Sequence, residues 1–225
     1  MNYEKIETDR YEKRWKSMNN KFSNDDHYTS KNPSPVVKEY IKYLKDHKIN
    51  GNVLDIGCGN GRNSVLFAKN GFTVHGIDVS ESAIKIAKKN AKDNDVKISN
   101  QVGSVFRLPY NSNFFDALLD SGCIHHLRKS EWKKYLSSIL RVLKTDGHFL
   151  LYCFSNNYGY IPGISPKSKN RNWTLRNGHY NHFFTDKEIK DTFRKKFDII
   201  YHYELKKGDF RKAGKAVKVY LMKKK

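Results

Sequence analysis

The sequence predicts an α/β domain built on a mostly parallel sheet. Three observations support this fold class: apolar segments of strand length alternate with helical patterns, a glycine-rich turn follows the first such segment, and two strand-like segments end the chain without a helix between them. The alternation indicates parallel βαβ units, and the final pair indicates an antiparallel hairpin. At 225 residues the chain can bury one full core but is short for two ordinary domains.

Two helices are predicted before the first strand. Residues 3–19 carry apolar and aromatic side chains at roughly helical spacing, and a polar stretch follows them. The segment 34–49 begins with Ser34 as N-cap and Pro35 at the first helical position, and its apolar residues form one helical face. We therefore divide the chain into an N-terminal helical cap, residues 1–33, and a main domain, residues 34–225.

The remaining elements alternate in type. The apolar patterns predict strands at 52–56, 73–77, 96–102, 114–120 and 148–154, with helices at 61–70, 81–93 and 130–143. Thr185 and Glu188 form a capping box that starts a further helix. Strands 197–204 and 216–222, joined by a loop with two glycines, form the antiparallel hairpin at one sheet edge.

The charge of the chain suggests a polyanionic partner. Lys and Arg number 43 against 23 Asp and Glu, which gives a net charge of +20. Residues 151–181 contain no acidic residue, and Asp209 is the only acid from Lys206 to the C-terminus. These two segments are the candidate basic surface. Lysines scattered through the whole chain as a codon preference are the alternative explanation.

No targeting, membrane or metal-binding segment is predicted. The N-terminus has charges where a signal peptide needs an apolar core, and the longest apolar run, 149–154, is too short to cross a bilayer. The cysteines, Cys58, Cys123 and Cys153, are widely spaced and lack the pairing of a metal site, so we expect reduced thiols. The expected protein is cytoplasmic, with no metal.

The turn 55-DIGCGNG-61 discriminates between nucleotide cofactors. The dinucleotide fingerprint requires a small residue at the position where Arg62 stands, which disfavours a nicotinamide dehydrogenase. A loop for nucleoside triphosphates is also disfavoured, because no Lys-Ser or Lys-Thr pair follows the glycines.

The pattern D-x-G-x-G-x-G after an apolar strand resembles motif I of the class I S-adenosylmethionine (SAM)-dependent methyltransferases, of the methyltransferase-11/25 type. Three later segments match that family in the same order: 74-VHGIDVS-80, 103-GSVFRLPYNSNFFDALLDSGCIHHL-127 and 139-ILRVLKTDGHFLLYCFS-155. The resemblance implies a three-layer Rossmann-like sheet, mostly parallel, with strand order 3-2-1-4-5-7-6 and an antiparallel C-terminal strand. It also implies SAM as cofactor and S-adenosylhomocysteine as product.

The resemblance implies the cofactor contacts as well. Asp55 would order the turn and contact the methionine end of the cofactor. The glycines, which have no side chain, would let the backbone lie close to the ligand, and Asp78 would accept hydrogen bonds from both ribose hydroxyls. Ser104 stands where the family commonly has an Asp for the adenine amino group, so adenine binding relies more on the Val105 backbone. The predicted cofactor residues are Asp55, Gly57, Gly59, Gly61, Asp78, Val79, Ser104, Val105 and Asp120.

His125 and His126 are the candidate catalytic bases, because they lie just beyond the fourth strand, at the edge where open α/β sheets bind ligands. We prefer His126, and packing or capping histidines are the alternative. The cap 1–33 is expected to cover the cofactor site through Tyr11, Trp15 and Tyr28. The insert, residues 155–184, is expected to shape the acceptor site through Trp173, His179, Tyr180 and His182.

The acceptor is the least determined feature. The tellurite-resistance and thiol-type small-molecule methyltransferases are the group most similar to the glycine-loop region and to 183-FFTDKEIKDTF-193. A small molecule is therefore the preferred acceptor class. The order of the later motifs also resembles the methyltransferases that complete wobble-uridine modification in tRNA, and the basic segments suit RNA. A non-catalytic SAM-binding subunit is a third alternative. A monomer or homodimer without membrane contact is expected.

Overall fold

The computed structural model describes residues 3–18, 30, 32–157, 172–176, 179–205 and 216–225. The helices are α1 (Tyr3–Ser17), α2 (Pro35–Asp46), α3 (Arg62–Lys69), α4 (Glu81–Asp93), α5 (Trp132–Val142) and α6 (Asp186–Phe193). The strands are β1 (Asn52–Ile56), β2 (Thr73–Asp78), β3 (Ile98–Val102), β4 (Phe115–Ser121), β5 (Leu143–Phe154), β6 (Trp173–Arg176), β7 (His179–His182), β8 (Phe197–Leu205) and β9 (Val217–Lys224).

Seven strands form one sheet in the order β3-β2-β1-β4-β5-β9-β8. Strands β1 to β5 are parallel to their neighbours, whereas β9 runs antiparallel to both β5 and β8. Because β8 and β9 are the sixth and seventh strands of this sheet, the predicted order 3-2-1-4-5-7-6 is confirmed. The predicted terminal hairpin is confirmed too, and its connection, residues 206–215, lies outside the described residues.

Helices cover both faces of the sheet. One apolar core lies against α5 and α6 and includes Tyr135, Ile139 and Phe193, all fully buried. The other lies against α2 and α3 and includes Tyr40 and Phe67, also fully buried. Burial of such side chains stabilises the fold by about 1.5–3 kcal/mol each. The three-layer Rossmann-like architecture is thus the one that the sequence predicts.

The register of the central strands positions the site. Ile56 at the end of β1 pairs with Ile77 in β2 and with Asp120 in β4, and Asp78 pairs with Val102 of β3. The carboxyl ends of four strands therefore meet at one edge of the sheet. The turns that follow them converge there, as expected for ligand binding by an open α/β sheet.

Two element boundaries differ from the prediction. Strand β5 begins at Leu143, five residues before the predicted start at 148, because Leu143 pairs with Phe115 ahead of a register shift. The insert contains a short antiparallel hairpin, β6–β7, outside the main sheet, where a connection without strands was predicted. The dipeptide Asn177-Gly178 between these strands is a typical hairpin signal that the sequence analysis missed. No described helix has the length and apolar character needed to cross a bilayer.

Candidate active site

A cleft lies where the turns after β1, β2, β3 and β4 converge. With the solvent at its open mouth included, the cleft has a volume of about 1200 Å³. Helix α1 forms its opposite wall through Tyr3, Glu4, Glu7, Thr8, Tyr11 and Trp15. The cleft therefore lies between the ends of the parallel strands and α1.

The glycine turn after β1 forms the base of the cleft. Gly57, Gly59 and Gly61 all have positive φ, at 65°, 54° and 73°. Gly57 and Gly59 line the cleft, whereas Gly61 does not. A Cβ on Gly61 would lie 3.0 Å from the Cβ of Ala87, so this glycine permits α3 to start close against α4.

Trp15 of α1 lies directly over the glycine turn. A Cβ on Gly59 would lie 2.9 Å from Cζ2 of the Trp15 indole, which is only 6% exposed. Because Gly59 has no side chain, α1 can pack directly against the turn.

This contact yields a test by double mutation. We expect Gly59→Ala to weaken SAM binding by about tenfold or more, because the alanine strains the left-handed backbone and displaces the Trp15 ring. In a Trp15→Ala background the same change should weaken SAM binding clearly less. The interaction energy between the two substitutions should lie within about 0.5–3 kcal/mol. Calorimetric titration of SAM into the four proteins measures both effects. Additive losses would contradict the contact between the ring and the turn.

Asp78 links the end of β2 to the glycine turn. One carboxylate oxygen accepts a hydrogen bond from the Gly59 amide at 3.0 Å, and the other accepts from the Ser80 amide at 2.9 Å. Burial raises the pKa of Asp78 to about 6, although these bonds oppose the shift. Asp78 and Val79 both line the cleft, where a carboxylate suits a ribose diol.

The predicted adenine-side residues also lie in the wall. Ser104 and Val105 line the cleft, beside Gly103 and Phe106. The Ser104 hydroxyl accepts a hydrogen bond from the Phe106 amide at 3.2 Å and so starts a short 3-10 helix. Because this oxygen already accepts a hydrogen bond from the chain itself, its contact with adenine stays a prediction.

Asp55 and Asp120 lie behind the cleft wall and do not line it. Asp55 accepts a 2.6 Å hydrogen bond from the Ser64 hydroxyl, and burial raises its pKa to about 7. Asp120 accepts from the amides of Cys123 at 2.7 Å and Ile124 at 3.0 Å and from the Tyr135 hydroxyl at 2.7 Å. Both carboxyl groups thus position the turns, as expected for Asp55, and their direct contact with the cofactor stays a prediction.

The two candidate bases occupy different environments. His125 is 1% exposed, and its ring stacks on Phe154 at 3.7 Å between centroids. Nδ1 of His126 lies 3.1 Å from the carbonyl oxygen of Tyr180 in β7. Because a carbonyl only accepts hydrogen bonds, Nδ1 carries the proton and Nε2 keeps its lone pair. Burial lowers the pKa of His126 to about 3, so the ring is neutral near pH 7.

Helix α1 is held across the cleft by polar contacts at both ends. Glu12 accepts hydrogen bonds from the hydroxyls of Ser80 and Ser82, both at 2.7 Å, and Glu4 pairs with Arg107 at 2.7 Å. Burial by itself raises the pKa of the Glu12 carboxyl group, but the hydrogen bonds from the two serines outweigh it and lower this pKa to about 2. Tyr3 lies under the Arg128 guanidinium at 3.9 Å.

Among the insert residues that the structure describes, none lines the cleft, and His179 contacts a residue that does. Trp173 stacks on Tyr180 at 5.7 Å, and His182 contacts Glu188 at 3.2 Å, so these side chains hold the hairpin and α6 together. His179 lies beside Tyr11, a cleft residue, at 5.1 Å between centroids. The predicted contact of Tyr28 lies outside the described residues.

Several wall residues were not found from the sequence: Glu7, Thr8, Asn63, Ser121, Leu127 and Glu131. The place of Glu7 in this wall could have been inferred from the sequence, because Glu7 precedes Tyr11 by four residues and therefore lies on the same face of the helix.

The cleft contains neither a reactive thiol nor a metal cluster. Cys58 and Cys123 line the cleft, and burial raises the pKa of each thiol well above its ordinary value, which disfavours a thiolate nucleophile. Within the described ranges, no group of His, Cys, Asp and Glu side chains is arranged to hold a metal ion.

Sequence comparisons identify the family. Residues 53–147 match the methyltransferase domain family. An uncharacterized methyltransferase of Schizosaccharomyces pombe is 33% identical over 135 residues, which make up 59% of this chain and 86% of that protein. This chain belongs to the class I SAM-dependent methyltransferases.

Solved structures extend the similarity over most of the methyltransferase chain. A SAM-dependent methyltransferase of Methanosarcina mazei superposes with a TM-score of 0.70 at 22% identity, covering 86% of this chain and 98% of that one. The 1,6-didemethyltoxoflavin-N1-methyltransferase of Burkholderia thailandensis gives 0.66 at 23% identity, covering 84% and 78%. That structure contains 1,6-didemethyltoxoflavin and S-adenosylhomocysteine. At these identities the likeness establishes the fold.

SAM is the cofactor of this methyltransferase, and the cleft residues fit it. Gly57 and Gly59 place backbone without side chains at the base of the cleft. Asp78 presents a carboxylate to the same space, and Val105 and Phe106 provide apolar wall beside it. These residues would hold the methionine end, the ribose and the adenine, respectively.

Proposed function

We propose that this methyltransferase transfers a methyl group from SAM to a small-molecule acceptor by in-line displacement. The observation that carries the proposal is the position of α1, which lies across the cleft and gives it a second wall. A walled cleft accommodates a small molecule beside the cofactor better than a long polymer. The neighbour crystallised with 1,6-didemethyltoxoflavin supports the same class of acceptor.

The residues of the chain would align the reactants and receive a proton. Bound SAM would supply a methyl group attached to a positively charged sulfur. As the bond between carbon and sulfur breaks, the sulfur would leave as a neutral thioether and keep the electron pair of that bond. Cleft residues hold the acceptor atom in line with that bond and exclude water. Nε2 of His126 receives the proton that an O–H or N–H acceptor loses as the new bond to carbon forms.

The N-terminal cap and the insert have supporting roles in this proposal. Helix α1 covers the cofactor, with Trp15 seated on the glycine turn. The insert acts through the carbonyl of Tyr180, which fixes the His126 tautomer, and through His179 beside Tyr11.

A labelling experiment tests the proposed acceptor class. The enzyme is incubated with methyl-labelled SAM and a cell extract separated into a low-mass fraction and an RNA fraction. We expect label in the low-mass fraction only. Label in RNA, with binding that weakens steeply as salt increases, would instead establish an RNA methyltransferase. SAM binding without transfer to either fraction would indicate a non-catalytic subunit.

The environment of His126 predicts an unusual pH profile. Because burial holds its pKa at about 3, the neutral base form persists as pH falls from 8 to 5, whereas an ordinary histidine would be half protonated near ~6.5. At saturating SAM, the single-turnover rate should therefore stay constant over this range. Rapid-quench measurements with the acceptor found by labelling provide the profile. A loss of rate centred near pH 6.5 would contradict the lowered pKa of His126, because it is the profile of a base with an ordinary histidine pKa.

A further inference from the structure

Glu7 has a buried carboxylate oxygen without a hydrogen-bond donor. The residue lies on α1 and lines the cleft. Its Oε1 accepts from the Arg10 guanidinium at 2.9 Å, but its Oε2 is buried and has no hydrogen-bond partner among the described residues. Nδ1 of His179 is 3.8 Å from that oxygen, beyond hydrogen-bond distance. Leaving a buried carboxylate oxygen unsatisfied is costly, so a donor from a ligand would stabilise this position.

The charge of the cleft is opposite to that of the chain. Among the described residues that line it, the carboxyl groups belong to Glu4, Glu7, Asp78 and Glu131, and Arg62 is the one guanidinium. The whole chain, in contrast, carries a net charge of +20. Arg107 and Arg10 pair with Glu4 and with one oxygen of Glu7, so the local preference for a donor over an anion comes from the second Glu7 oxygen, which has no such partner.

The other carboxyl groups of the cleft are already engaged. Glu4 pairs with Arg107 at 2.7 Å, Glu131 accepts from the Arg128 amide at 2.9 Å, and Asp78 binds two backbone amides. Among these carboxyl groups, Glu7 is the one with a buried oxygen that has no hydrogen-bond donor in the described part of the chain. Burial raises its pKa, the effect expected when a carboxyl group lacks sufficient donors.

Several aromatic rings line the same cleft as Glu7. Tyr11, four residues further along α1, lies 5.4 Å from the His126 ring and 5.1 Å from the His179 ring. Tyr11, Trp15, Phe106 and His126 all line the cleft. Such walls favour a planar ligand, which can stack between them.

We propose that Glu7 determines acceptor specificity by accepting a hydrogen bond from an N–H or O–H of a planar acceptor that is uncharged or cationic. This inference rests on the proposed small-molecule function and names the class of molecule that the site accepts. The carboxylate orients the acceptor from α1, while His126 faces it from the turn after β4.

Binding of matched ring compounds to the enzyme loaded with S-adenosylhomocysteine tests this specificity. One set is tryptamine, 3-methylindole, indole-3-acetate and 1,3-dimethylindole, which vary the charge and remove the N–H. The phenol set is tyramine, 4-methylphenol, 4-hydroxyphenylacetate and 4-methylanisole. We expect the cationic and neutral donors to bind about tenfold or more tightly than the anions and the compounds without a donor, as measured by ligand-observed NMR titration.

Two variants on the same helix show whether Glu7 is responsible. Glu7→Gln should reduce the preference for cationic over anionic rings by about tenfold, whereas Asp9→Asn removes an exposed carboxylate from α1 and should leave the preference unchanged. The inference is overturned if anions bind best, if no donor compound binds at millimolar concentration, or if Glu7→Gln leaves the preference for cationic over anionic rings at its wild-type value.

The same titrations separate this inference from the proposed function. Failure of S-adenosylhomocysteine to bind would overturn the cofactor site itself. Labelling of RNA in the extract experiment would overturn the small-molecule function. Normal cofactor binding and a labelled small molecule, combined with an unchanged preference for cationic over anionic rings in Glu7→Gln, would overturn only the role of Glu7.

Discussion

Replacing His126 with asparagine is expected to lower the rate of methyl transfer by about 10²–10⁴-fold, the usual contribution of a positioned general base. Asparagine can place its side-chain amide near the position of Nδ1 and still donate to the Tyr180 carbonyl, so the turn and hairpin should stay together. The variant has no equivalent of Nε2 and cannot receive the acceptor proton. Single-turnover rates with the labelled acceptor measure the effect.

Two further measurements make the His126 result specific. The affinity for SAM should stay within about threefold of the wild type, because the change removes a proton acceptor and no predicted cofactor contact. His148 is also buried, with its pKa lowered to about 4, but lies outside the cleft, so His148→Gln is the matched control and should retain the wild-type rate. A rate for His126→Asn within threefold of the wild type would identify His126 as a packing histidine.

Asp78→Ala is expected to raise the dissociation constant of SAM by several-fold to about a hundredfold, the scale of a set of charge-assisted hydrogen bonds. The change removes the predicted ribose acceptor and also the bond that holds the Gly59 amide at 3.0 Å. Isothermal titration with SAM and with S-adenosylhomocysteine measures the loss. Unchanged affinity for both ligands would refute the ribose site.

The pKa of Asp78 adds a pH test of the same site. Since burial raises this pKa to about 6, lowering the pH from 8 to 5 protonates the carboxyl group and removes its charge. SAM binding should weaken over that range in the wild type and change much less in Asp78→Ala. Asp46→Ala, which removes an exposed carboxylate at the end of α2, should behave as the wild type.

The sequence predicted the sheet and the cofactor turn because both depend on local patterns. Apolar periodicity determines strand and helix, and the connection of parallel strands through helices restricts their order to few arrangements. The glycines at 57, 59 and 61 indicate the turn for the same reason, since positive φ strongly favours glycine. The β6–β7 hairpin was missed because its four-residue strands carry little periodic signal, although Asn177-Gly178 marks it.

The acceptor side of the cleft depends on contacts between distant parts of the chain. The tautomer of His126 follows from the carbonyl of Tyr180, 54 residues further on, and Asp120 proved to bind its own turn instead of facing the cleft. Glu7 enters the cleft only because Glu12 and Glu4 hold α1 across it. The sequence by itself thus determined the fold and the cofactor, which local conformational preferences encode. Only the tertiary structure decided which carboxylates and histidines line the cleft and how each is paired, because burial and pairing exist only after the chain has packed.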